Sequence, residues 1–325
     1  MDTSDKIYVA GHTGLVGSAL VRALRGAGYE NLLLATHGEL DLRDQAATRA
    51  FFEAQRPDYV LLAAATVGGI GANSAVPATF IADNLSIALN VIDSARRVGV
   101  KKLLNLGSSC IYPKLARQPI REGALMTGPL EPTNDAYALA KIAAIKLCLA
   151  YNQQYGTDFL SLMPTNLYGI GDTYDREGGH VLPTLITKFD GAKRSGAAEV
   201  TLWGDGSPLR EFLWADDLAG AALYLMQRYT AADIGGWINV GSGEEVSIAA
   251  LAEQVSAVVF ADAPESALPC IIWDTSKPNG TPRKLLDSSR INHLGWQATT
   301  TLAEGIVRAY QDYLSACHCE DRSAA

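Results

Sequence analysis

Apolar and polar positions along the first half of the chain change period in a regular way. Ile7–Ala10 is a short apolar run, followed by a glycine-rich turn and then by helical spacing up to Gly26, where Gly26 and Gly28 act as stop signals. Leu32–Ala35 and Tyr59–Ala63 are again short apolar runs, suited to strands buried on both faces. Between them Asp44–Gln55 has helical spacing and stops before Pro57. The series goes on with a helix over Pro77–Val98, a strand over Lys102–Leu106, a helix over Thr133–Tyr155 and a strand over Phe159–Met163. Alternating strands and helices predict an α/β, doubly wound parallel sheet.

From about Leu167 the pattern loosens. Helices are expected over Val181–Lys193, Asp216–Arg228, Ser247–Phe260 and Thr301–Leu314, with strands over Val200–Trp203, Phe212–Trp214 and Ile238–Val240. Residues 1–166 therefore read as a dinucleotide-binding domain and 167–316 as a smaller C-terminal substrate-binding lobe, with parts near 212–240 returning to the first. Cys317–Ala325 reads as a flexible tail; Cys317-His318-Cys319 alone is too few ligands for a metal site, and none is expected.

Composition narrows the function classes. The 325 residues are 48% hydrophobic, with 27 Lys plus Arg against 35 Asp plus Glu, for a net charge of -8. An acidic chain with no basic run is a poor nucleic-acid binder, although a small anion can still be held locally by backbone N–H groups. The five scattered cysteines argue against a disulfide framework and for a reducing cytoplasm. With neither a signal-peptide pattern nor an apolar run of spanning length, no membrane role is expected.

Two motifs carry chemistry. Gly11-His12-Thr13-Gly14-Leu15-Val16-Gly17 lies between the first strand and first helix, where glycines let the backbone approach a pyrophosphate on the helix N-terminus. Asp41, 24 residues beyond Gly17, is too far on to be assigned as the ribose acid. Tyr137 and Lys141, four apart, share one helix face, and an ammonium beside a phenol favours the phenolate. With Ser108 and Ser109 at the end of an intervening strand, these features resemble the extended short-chain dehydrogenase/reductase family. That family places such a Ser, Tyr and Lys around a nicotinamide. Cys110 beside Ser108 would usually be a small buried hydrophobe, but with His180, which opens a helix, it makes an acid/base couple suited to neutral pH.

A closer resemblance follows from several segments in order: Gly107-Ser-Ser-Cys-Ile-Tyr-Pro-Lys114, Glu131-Pro-Thr-Asn134, Tyr137 to Lys141, Met163-Pro-Thr-Asn-Leu-Tyr-Gly169 and Lys277 to Asp287. Over residues 6 to 314 the chain is similar to the GDP-L-fucose synthase family, the GDP-4-keto-6-deoxy-D-mannose 3,5-epimerase/4-reductases. The resemblance implies a reductase triad of Ser108, Tyr137 and Lys141 and an epimerase pair of Cys110 and His180. It implies coenzyme contacts from Gly11 to Gly17, His37, Leu106, Gly107, Ser108, Ser109, Lys141, Pro164, Thr165, Asn166, Leu167 and His180. Sugar-nucleotide contacts fall on Lys188, Trp203 and Arg210, and the two long helices of the first domain imply a homodimer. NADPH is the implied coenzyme. Thr13, Ala35 and His37 stand where the family has arginines for the 2′-phosphate, which leaves NADH as a second candidate. Asn279 stands where an aspartate is usual. Two rivals remain: another sugar-nucleotide epimerase or dehydratase, the latter wanting a carboxylate where Cys110 is, and a non-catalytic dinucleotide sensor, which has no use for these five side chains together.

Overall fold

The computed structural model describes residues 1–174 and 179–323, with backbone alone at 265 and 318–323. The first half supplies β1 (Ile7–Ala10), α1 (Leu15–Gly26), β2 (Leu32–Leu33), α2 (Gln45–Gln55), β3 (Tyr59–Leu62), α3 (Ile70–Ala75), α4 (Pro77–Val98), β4 (Lys102–Leu106), α5 (Asp135–Tyr155) and β5 (Phe159–Pro164). Next come β6 (Asn166–Tyr168), α6 (Val181–Ser195), β7 (Glu199–Trp203), β8 (Leu209–Trp214), α7 (Ala215–Arg228) and β9 (Trp237–Val240). The chain closes with β10 (Glu245–Ser247), α8 (Ile248–Val259), β11 (Cys270–Asp274), β12 (Arg283–Lys284), α9 (Ser289–His293) and α10 (Leu302–Ser323).

Among the described residues a six-stranded sheet has the order β2-β1-β3-β4-β5-β9, every pair parallel. Such strands need apolar cover on both faces. Leu20 and Leu24 of α1 with Leu218 and Leu225 of α7 supply one face. Phe52 of α2, Val91 and Ile92 of α4, and Ala144 and Cys148 of α5 supply the other. The order reverses between β1 and β3, so a crevice opens at the carboxyl ends of those strands.

β8 with β6, β10 and β12, and the parallel pair β7–β11, build the second lobe. Its core is made by Leu182 and Phe189 of α6, Leu251 and Val255 of α8, and Ile306 and Ala309 of α10. Glu211, fully buried on β8, fastens this lobe to the large sheet. Its carboxylate accepts from the N–H of Gly243 at 2.8 Å and of Leu286 at 3.0 Å. Its carbonyl accepts from Thr165 Oγ1 at 3.1 Å and Asn166 Nδ2 at 2.7 Å, at the end of β5.

Three expectations change. Leu32–Ala35 is half-buried, not buried on both faces, and only Leu32–Leu33 is strand, because β2 is an edge with a single neighbour. α5 starts at Asp135, two residues later than Thr133. The backbone expected as a frayed tail is helical to Ser323, continuing α10. The side chains of His318 and Cys319, and residues 175–178 and 324–325, lie outside the described residues.

Candidate active site

The glycine-rich turn sits at the crevice. Gly11 has φ 80°, a left-handed conformation suited to glycine, and a Cβ there would press on Ala64 backbone at the end of β3. A Cβ on Gly17 would overlap the Gly11 carbonyl oxygen, so only glycine lets α1 start this close to the turn. Gly14 caps α1 with no side-chain hydrogen bond, and Thr13 and Gly14 are exposed. His12 Nδ1 is buried without a partner. A glycine cradle opening onto an uncapped helix N-terminus fits a dinucleotide pyrophosphate.

Beyond β4 the chain tightens into a single turn of 3₁₀ helix at Ser109–Ile111. Ser108 caps this turn, its Oγ accepting the Cys110 N–H at 3.4 Å. The same hydroxyl lies near the thiol of Cys110 and the phenol of Tyr137 and acts to lower the pKa of both. Burial outweighs it in each case: the Cys110 thiol is pushed up, with Lys284 and Lys141 opposing, and the Tyr137 phenol is pushed up further by Cys110. The spacing predicts a Tyr137 pKa lowered by Lys141. Instead, the buried Lys141 donates from Nζ to the Leu106 carbonyl at 2.8 Å, and Nζ stands 5.7 Å from the Tyr137 ring centre. Loss of hydration lowers the Lys141 pKa to about 8. Phe80 of α4 meets the Tyr137 ring edge-on at 6.3 Å and fixes its plane.

His180 is the residue before α6, with extended backbone at φ -70°. Its side chain reaches solvent, yet protein crowds it enough to lower its pKa, and the Lys284 ammonium adds to the effect. Pro164, Thr165, Asn166 and Leu167 span the junction of β5 and β6, next to Glu211. Thr165 and Asn166 commit their side chains to that junction. His37 is largely exposed beyond the end of β2.

The sugar-nucleotide candidates lie on the second lobe. Lys188 of α6 donates to the Thr201 carbonyl at 2.8 Å. Trp203 at the end of β7 is 47% exposed, with Lys277 Nζ 5.3 Å from its ring centre. Arg210 of β8 donates to the carbonyls of Leu209 and Asn279, and burial lowers its pKa to about 10. Asn279 Oδ1 in turn accepts the Asp205 N–H at 3.0 Å, so this residue shapes the loop beside Arg210.

Sequence reasoning assigned nothing to Lys284. Parallel pairing of β12 with β8 sets Lys284 beside Arg210, and Lys284 lines one cleft with Ser109, Cys110, Glu131 and Asn134. Its charge acts on both Cys110 and His180. The signal available was a basic pair, Arg283-Lys284, in an otherwise polar loop.

A family model described as the NAD dependent epimerase/dehydratase family matches residues 7–241. The chain is 55% identical over 314 residues to "Probable GDP-L-fucose synthase 1" of Oryza sativa subsp. japonica, covering 96% of this chain and 93% of that one. It is 46% identical over 322 residues to "GDP-L-fucose synthase" of Escherichia coli strain K12, covering 96% and 97%. A solved GDP-L-fucose synthetase from Naegleria fowleri bound to NADP superimposes with a TM-score of 0.86 at 29% identity, over 98% of this chain and 96% of that one. With the glycine turn, the Ser108–Tyr137–Lys141 group and these likenesses in agreement, the chain belongs to the NAD dependent epimerase/dehydratase family, and its relatives there include the GDP-L-fucose synthases.

Proposed function

We propose that the protein converts GDP-4-keto-6-deoxy-D-mannose to GDP-L-fucose by epimerisation at C3 and C5 and reduction at C4. The observation that carries this reading is the grouping of Ser108, which accepts the Cys110 N–H, with Tyr137 and the buried Lys141. This grouping supports an acid/base thiol and a proton donor that act on one substrate.

The 4-keto group makes the hydrogens at C3 and C5 acidic. Cys110 removes a proton and His180 returns one on the opposite face, while Ser108 and Tyr137 donate to the enolate oxygen. Burial alone makes a Cys110 thiolate costly, and the ammonium groups of Lys141 and Lys284 reduce that cost. A hydride for C4 would come from NADPH held by these residues. Tyr137 then protonates the C4 oxygen, and Lys141, held by Leu106, orients the nicotinamide ribose. Gly11 to Gly17 take the pyrophosphate, with Leu106 to Ser109 and Pro164 to Leu167 walling the nicotinamide side. Arg210 and Lys188 suit the GDP phosphates, and Trp203 offers a flat apolar wall.

The direct test is incubation with GDP-4-keto-6-deoxy-D-mannose and NADPH, following nicotinamide absorbance. Turnover giving GDP-L-fucose is expected; no turnover there, with turnover of a UDP-sugar, overturns the reading. His180→Gln should still bind coenzyme but lose solvent exchange at C3, C5 or both.

The reading includes a homodimer in the cytoplasm. Leu85 and Leu89 of α4 and Leu139 of α5 are 39%, 46% and 48% exposed on two helices that pack together, an apolar face suited to a four-helix arrangement across two copies. Sedimentation as a clean monomer at micromolar concentration would count against it.

A further inference from the structure

The chain leaving β2 turns at Thr36–Glu39 beside the glycine-rich turn. β2 pairs with β1 in parallel (Ile7 with Leu32, Tyr8 with Leu33), and the Glu39 carboxylate lies near enough to His12 to feel its charge. In this kind of fold the adenosine ribose lies here, and a 2′-phosphate calls for a nearby cation. Two candidates are present, and one carboxylate engages both. Arg43 donates from Nε and Nη2 to Asp41 at 2.9 and 2.8 Å, and from Nη1 to Asp83 at 3.2 Å. Asp83 is itself held by Thr66 Oγ1 at 3.1 Å. His37 Nδ1 stands 4.0 Å from Asp41 Oδ1. The Arg43 N–H also donates to Asp41 Oδ1 at 3.0 Å, closing a small ring that fixes the carboxylate against its own arginine.

A 2′-phosphate of about two negative charges would therefore meet Glu39, Asp41 and Asp83 against one permanent cation that is already shared between two carboxylates. Thr13 and Ala35 contribute no charge. We propose that Asp41 is the residue that sets coenzyme preference, occupying Arg43 and His37 so that the protein discriminates only weakly between NADPH and NADH. The inference rests on the reading of Gly11 to Gly17 as the dinucleotide site.

The test is calorimetric titration of the free protein with NADPH and with NADH, which reads binding without turnover. Wild-type affinities are expected within about tenfold of each other, since one charge-assisted contact at most is available. Asp41→Asn should raise the NADPH-to-NADH ratio by about tenfold, and adding Arg43→Gln to that variant should remove the gain. His37→Arg, which adds a second permanent cation at this corner, should raise the ratio too. A wild-type preference for NADPH above about a hundredfold overturns the inference while leaving the dinucleotide site standing. So does a collapse of wild-type NADPH affinity in Arg43→Gln alone, or a ratio unmoved by both Asp41→Asn and His37→Arg. Binding of neither coenzyme overturns the dinucleotide reading itself, and the inference with it.

Discussion

Lys141 lies beside the ring of Tyr137, its Nζ 5.7 Å from the ring centre, yet its hydrogen bond goes to the Leu106 carbonyl. The phenol keeps its proton, because burial and Cys110 hold its pKa up. It is thus poised to donate. Tyr137→Phe should slow hydride transfer by at least about a hundredfold, while isotope exchange at C3 and C5 falls much less, because Ser108 still donates to the enolate oxygen. Reduction at near wild-type rate in that variant would remove Tyr137 from the acid role.

Cys110→Ser should give the converse. A serine alkoxide is rarely populated near neutral pH, so the neighbouring ammonium groups cannot make up the difference. The expected product is a reduced sugar of unchanged configuration at C3 and C5, with exchange slowed by about a hundredfold or more. Equal loss of both activities would show that Cys110 serves packing around Ser108 instead.

The ammonium of Lys141 titrates at about 8. It is charged below that value, so kcat/KM for the reduction should fall as pH rises through about 8, the limb belonging to the free enzyme. Lys141→Arg, charged throughout, should move or erase that limb even if its overall rate is lower. A flat profile up to pH 10 in the wild type would exclude the assignment.

Asp172, next to the C-terminal helix, has its pKa pushed up to about 7, first by burial and then by the charge of Asp312. The folded state holds this proton more tightly than the unfolded chain does. Its contribution to stability is therefore complete below about pH 4 and lost as pH rises through about 7, by on the order of 2–4 kcal/mol. Asp172→Asn should raise the melting temperature at pH 8 and change it little at pH 4. Stabilisation of equal size at both values would mean that the charge is not the cause.

What could be read from the sequence was whatever depended on local spacing. The turn from Gly11 to Gly17 sits between elements its own neighbours dictate, and Tyr137 meets Lys141 because four residues make one helical turn. The expected Ile7–Ala10, Pro77–Val98 and Lys102–Leu106 elements match the structure end to end. Lys284 escaped because it lies in a two-residue strand whose only claim to the cleft is its pairing with β8. β11 was missed for a related reason, since Cys270–Asp274 becomes a strand by pairing with β7 across a long separation in sequence. The Tyr137 pKa was misjudged because spacing reports a neighbour but not the loss of water around both groups. Distance along the chain alone places Asp41 too far from Gly17 for a ribose contact. Its hold on Arg43 became visible only once side chains were placed.

Glu211 gives the molecule a clasp. One carboxylate binds the loop after β9 and the strand-end at Leu286, while its own carbonyl gathers the end of β5. Gly241 has to be bare for this to happen, because a Cβ there would strike the carboxylate. The junction of the large sheet with the second lobe is therefore stitched together by one side chain and its own backbone. Substitution of Glu211 would then loosen the two lobes against each other, so loops that hang from this seam can vary in sequence while the seam itself stays fixed.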